Sequence, residues 1–68
     1  MKVSVYRTSK DGIKELVAKF KLSADADFFA WKMFQMEEGY MYGIKYSVED
    51  KNSVIAKYDN LNQWRVEA

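Results

Sequence analysis

The sequence predicts an α+β domain of two layers: a single antiparallel sheet with one helix packed on one face, in the order β-β-α-β-β-β. Three observations predict it. Residues 3–7 and 13–22 alternate apolar with polar on either side of Asp11-Gly12, a strong hairpin signal. Residues 24–38 carry apolar side chains at helical spacing. Three further alternating runs follow, at 40–49, 54–58 and 64–67, parted by polar turns. At 68 residues the chain is one domain, 1–68, with a small core.

In the hairpin, Val3, Val5 and Arg7 alternate with Lys2, Ser4 and Tyr6. A two-residue loop at Asp11-Gly12 pairs Val5 with Ala18 and Val3 with Phe20, so the two apolar faces coincide. Leu16, Ala18, Phe20 and Leu22 then face the core, and Glu15, Val17, Lys19 and Lys21 face away. Ser23 is the expected N-cap, with Asp25 and Asp27 in the first turn, where the helix dipole favours carboxylates. Gly39 is the expected left-handed C′ residue. Glu37 and Glu38 sit at the unfavourable end of the dipole, so another group must hold that terminus.

The third strand, 40–49, places Tyr42, Ile44, Tyr46 and Val48 on one face and Met41, Gly43, Lys45 and Ser47 on the other. After the turn Asp50-Lys51-Asn52-Ser53, Val54, Ala56 and Tyr58 alternate with Ile55 and Lys57. Residues 59–62 turn the chain into a last strand with Trp64 and Val66. On the helix, Ala26, Phe29, Ala30, Met33 and Phe34 form the stripe that packs on the sheet.

Two surfaces are left over. Phe28 and Trp31 point away from the stripe, among Asp27, Lys32, Gln35 and Glu38. They read either as a contact site or as a pair covered by a loop or the N-terminal strand. The outer sheet face carries Ser4, Tyr6, Lys19, Lys21, Lys45, Lys57 and Arg65. Basic residues with an interleaved aromatic suit phosphates or an acidic protein surface. The plainer reading is a solvated lysine face that resists edge aggregation. The net charge of +1 then conceals a basic sheet face opposite the acidic helix residues Asp25, Asp27, Glu37 and Glu38.

Catalytic chemistry is not expected. The chain has no His and no Cys, which removes the usual general base, the thiolate nucleophile and the commonest zinc ligands. Glu37 and Glu38 diverge by about 100° on a helix and Asp25 and Asp27 by about 200°, so neither pair converges on a substrate. Gly12, Gly39 and Gly43 are too scattered for a phosphate loop, and Asp50-Lys51-Asn52 lacks the Gly and Glu of a calcium loop. We therefore expect no enzyme activity, no cofactor and no metal. No run approaches the roughly 18 apolar residues of a membrane span. The start lacks the apolar core of a signal peptide. A soluble, cytoplasmic protein without a membrane partner is expected.

From Phe20 to Glu67 the chain has a strand, the Ser23-capped Ala-rich helix, Gly39, the strand Gly43-Ile44-Lys45-Tyr46, and a hairpin ending Tyr58…Trp64-Arg65-Val66. This arrangement resembles small phage-encoded inhibitors of host machinery, of the anti-CRISPR kind. The resemblance implies a non-enzymatic inhibitor, working in the host cytoplasm, that binds a host defence nucleoprotein complex and occludes its nucleic-acid channel. The charge of +1 departs from the strongly acidic DNA mimics among such proteins, which leaves docking through a local patch. The expected partner-binding residues are Tyr6, Lys19, Lys21, Lys45 and Lys57 on the sheet face, with Phe28 and Trp31 as a second patch. Two alternatives stand beside this: a small nucleic-acid-binding module using the same basic face, and a homodimer in which a second copy covers Phe28 and Trp31.

Overall fold

The computed structural model describes residues 2–51, 53–59 and 63–65, the last three by backbone alone. The elements are β1 (Val3–Thr8), β2 (Lys14–Phe20), α1 (Ser23–Met36), a one-turn α2 (Gly39–Tyr42), β3 (Lys45–Glu49), β4 (Val54–Tyr58) and β5 (Gln63–Arg65). The strands form one antiparallel sheet in the order β2-β1-β3-β4-β5. α1 packs on one face, which is the expected two-layer α+β architecture. Its buried Ala26, Ala30 and Phe34 meet Val3, Val5, Tyr46, Val48, Ala56 and Tyr58 from the sheet. Phe29 and Met33 complete the helix stripe as partly buried flanks.

The β1–β2 register is set by two compensating irregularities. The loop has three residues rather than two. The Gly12 N–H donates to the Ser9 carbonyl at 2.9 Å, the Ser9 N–H donates to the Ile13 carbonyl at 3.0 Å, and Gly12 takes φ 89°. This is a type I turn closed by a left-handed residue, where glycine carries no Cβ penalty. One extra loop residue shifts the pairing by one, which alone would invert β2. A bulge at Val17 removes the shift, so Val3 still faces Phe20 and Val5 still faces Ala18. Before the bulge the faces exchange. Leu16 lies opposite Tyr6, on the side away from α1, and is 48 % exposed. It is not a core residue.

The same device recurs in β4. Val48 faces Ala56 but Glu49 faces Val54, with Ile55 as the extra residue. Val54 moves to the open face and Ile55 packs against the core, reversing their expected placement. The Asp50 turn is as expected: its carboxylate accepts from the Ser53 N–H at 2.9 Å, an Asx-type closure.

The helix ends differ from expectation. α1 begins at Ser23 itself, with extended Leu22 in the N-cap position and no side-chain cap. At the other end the left-handed residue is Glu38, at φ 53°, not Gly39. Gly39 is required for space. A Cβ there would stand 2.5 Å from the Phe34 ring and 2.8 Å from the Ile44 carbonyl oxygen. Tyr40, Met41 and Tyr42 continue in the α2 turn, exposed, rather than starting the third strand, with the Met41 and Tyr42 N–H groups donating to the Glu38 carbonyl at 2.8 and 3.1 Å. Of the expected last strand, Val66 lies outside the described residues, as do the side chains of Trp64 and Arg65.

The group that holds the acidic end of α1 is on β1 and β3. Arg7 Nε donates to Glu37 Oε1 at 3.1 Å, and the Tyr46 hydroxyl donates to the same oxygen at 2.6 Å. Burial pushes the Glu37 carboxyl up, but these two hydrogen bonds and the guanidinium charge outweigh it and hold the carboxyl below its ordinary value. Burial and the Glu37 carboxylate both push the Tyr46 phenol up. A carboxyl depressed in the folded state stabilises fully above its unfolded value, about 4.3, and loses that contribution as pH falls through the folded value. Urea midpoints measured against pH are therefore expected to fall on the acid side. In Glu37→Gln that acid limb should be shallower.

Candidate functional site

The face of the sheet opposite α1 is covered by no described element. The ladder arranges it in rows. Across β2, β1 and β3, Lys14, Thr8 and Lys45 form one row. Leu16, Tyr6 and Ser47 form the next, extended by Lys57 on β4. Lys19, Ser4 and Glu49 form the third. Adjacent members of a row stand about 5 Å apart at the backbone. The structure therefore brings Tyr6, Lys19, Lys45 and Lys57 onto one surface. Lys21 lies beyond the end of β2 and belongs to no row. The side chain of Arg65 is outside the described residues.

One feature of this face escapes the simple alternation. Lys14 joins it because of the Val17 bulge. Its Nζ sits 4.7 Å from the Tyr6 ring centroid and 3.0 Å from Glu49 Oε2. Ser47 Oγ also donates to Glu49 Oε2, at 2.7 Å. Burial pushes the Glu49 carboxyl up, but the bonds from Ser47 and Lys14 and the lysine charge bring it below its ordinary value. Glu49 thus places a fixed carboxylate within the basic face. Lys57 has Asp59 at 3.9 Å, whereas Lys19 and Lys45 carry no ion pair among the described residues. A shallow cup of about 330 Å3 runs between Thr8, Lys14, Lys45, Ser47, Glu49 and Lys57. Glu49 was within reach of the sequence, since it shares parity with Lys45 and Ser47. Lys14 was not.

The charge separation expected between the layers is partial. Among the described residues, four lysines and one carboxylate lie on the sheet face, while Lys32 accompanies the acids of the helix layer. Of those acids, Glu37 is held by Arg7, and Asp27 accepts from the Tyr58 hydroxyl at 2.5 Å.

On α1, no described loop or strand covers Phe28 or Trp31. They are 61 % and 40 % exposed, their ring centroids are 6.3 Å apart, and Lys32 Nζ lies 5.9 Å from the Phe28 ring. Beside them runs a second shallow depression of about 440 Å3, floored by Phe20, Phe29, Met33 and Met36 and edged by Asp25 and Lys32. Among the described residues no cluster of three metal-ligating side chains occurs, and no helix is long and apolar enough to cross a membrane.

Fold and surfaces together define a small two-layer α+β domain with an open, mixed-charge sheet face and an aromatic patch on the helix. Comparison with protein-family models, with curated proteins and with solved structures finds no match to this chain.

Proposed function

We propose that the protein is a non-enzymatic inhibitor that docks on a protein surface of a host defence nucleoprotein complex and blocks it by occlusion. The class of target follows from the resemblance to phage-encoded inhibitors. The docking surface follows from one observation, the open face with Tyr6 at its centre and, at its corners, Lys19 and Lys45, which carry no ion pair among the described residues. An aromatic with a rigid ring, set among side chains that both donate and accept, suits a protein partner. Glu49 supports protein over nucleic acid, because an ion-paired carboxylate among the lysines of the cup makes a mixed donor and acceptor surface, which suits a protein face better than a run of phosphates.

The test is relief of defence in cells. In hosts carrying a panel of active nucleoprotein defence systems, expression should restore plating of a targeted phage against at least one of them. Lys19→Glu with Lys45→Glu should cost at least about tenfold in affinity for that complex, because each reversal turns an attraction into a repulsion. Both positions are exposed, so circular dichroism should be unchanged. Relief that survives the double reversal removes the open face from the proposal. Binding to DNA or RNA alone, falling steeply with salt, would replace the reading with a nucleic-acid module.

A further inference from the structure

The aromatic patch on α1 has a spacing that the fold does not use. Ala24, Phe28, Trp31 and Gln35 are all exposed and recur at intervals of four, three and four residues. That is the seam spacing of a coiled coil. The residues that α1 buries in its own domain, Ala26, Ala30 and Phe34, lie on the opposite side. The seam is flanked on one side by Asp25 and Lys32, each directly after a seam residue.

We infer that this crest is the interface of an antiparallel homodimer, with a second copy of the chain as its occupant. Charge and size complementarity carry the inference. When two copies of α1 cross antiparallel midway between Phe29 and Ala30, Ala24 meets Gln35 of the second copy and Phe28 meets its Trp31. In that one register Asp25 stands beside Lys32 of the second copy. Two-fold symmetry makes the pair twice, because residue i meeting j requires j to meet i. A parallel pairing offers Lys32 only Asp27, which is already bonded to Tyr58. It would also stack Phe28 on Phe28 and leave Gln35 facing Gln35. The Phe28 and Trp31 ring centroids are already 6.3 Å apart within one chain, so this register gathers the four rings into one cluster.

The helix has 14 residues and is about 21 Å long, so the seam is at the small end of specific interfaces and the association should be micromolar. The resulting assembly has four layers, with the helices inside and the two open sheet faces pointing outward in opposite directions. Each dimer would offer two docking faces. The seam and the docking face lie on opposite sides of the domain, so either can fail without the other.

Sedimentation equilibrium over a concentration series tests the seam. The mass should rise from 8.0 kDa toward about twice that value. Asp25→Lys alone, or Lys32→Asp alone, should weaken association about tenfold or more. The two together restore both cross-pairs and should recover most of it. A mass of 8.0 kDa at every concentration overturns the inference, as does association that ignores both single reversals. If the wild type stays monomeric while Trp31→Ala weakens capture of the target, the crest belongs to that target and not to a second copy.

Discussion

Gly39→Ala should destabilise the protein by about 3 kcal/mol, at the top of the range for overpacking a core. The new methyl would fall 2.5 Å from two atoms of the Phe34 ring, which is fully buried, and 2.8 Å from the Ile44 backbone oxygen. Neither neighbour is a flexible surface side chain that could swing away. Domains of this size hold a margin of only a few kcal/mol, so a large share of the molecules should unfold near physiological temperature. The cause can be separated from a loss of backbone freedom. Phe34→Leu removes ring atoms from the clash and is itself mildly destabilising. The double variant should therefore be more stable than the sum of the two single losses allows. Urea denaturation of all four proteins reads the coupling. Additive losses would mean that the contact between Gly39 and Phe34 is not what makes glycine necessary.

Tyr46→Ala should be at least as damaging, with a loss of about 3–5 kcal/mol. Tyr46 is among the largest side chains buried in the core, and its hydroxyl fixes Glu37 together with Arg7. Tyr46→Phe separates the two contributions. It keeps the ring and removes the 2.6 Å bond, so a loss of about 1–2 kcal/mol is expected. If Phe and Ala cost the same, the hydroxyl and not the packing dominates. If Phe costs nothing, Arg7 alone suffices to hold the end of α1.

The places where the sequence was readable have a common physical cause. Val3, Val5, Phe20, Phe34 and Val48 stand at positions where period and burial agree, so alternation and helical spacing located them correctly. The hairpin pairs beyond the bulge also agree with the sequence, because burying Val5 against Ala18 constrains the register more than the turn does. The two bulges were not readable. An extra residue within a strand looks like one more step of alternation, so alternation alone places Leu16, Val54 and Ile55 on the wrong faces. Tyr40-Met41-Tyr42 failed for a related reason. The run alternates acceptably as a strand, but in the folded chain the Met41 and Tyr42 amides donate to the Glu38 carbonyl and close a helical turn that alternation does not signal. The site followed the same division. Tyr6, Lys45 and Lys57 reached the open face as expected, while Lys14 arrived through a bulge and brought Glu49 into an ion pair on the same surface.

Site-specific photo-crosslinking in cells that carry a relieved defence system would examine the docking face itself. A photoreactive residue at Tyr6, Lys45 or Lys57 should capture one and the same protein subunit of the defence complex. That adduct should disappear when Lys19 and Lys45, or Lys19 alone for the Lys45 probe, are reversed to Glu. Open-face probes that capture nothing, or only nucleic acid, while the defence is still relieved would contradict the proposed mode of action.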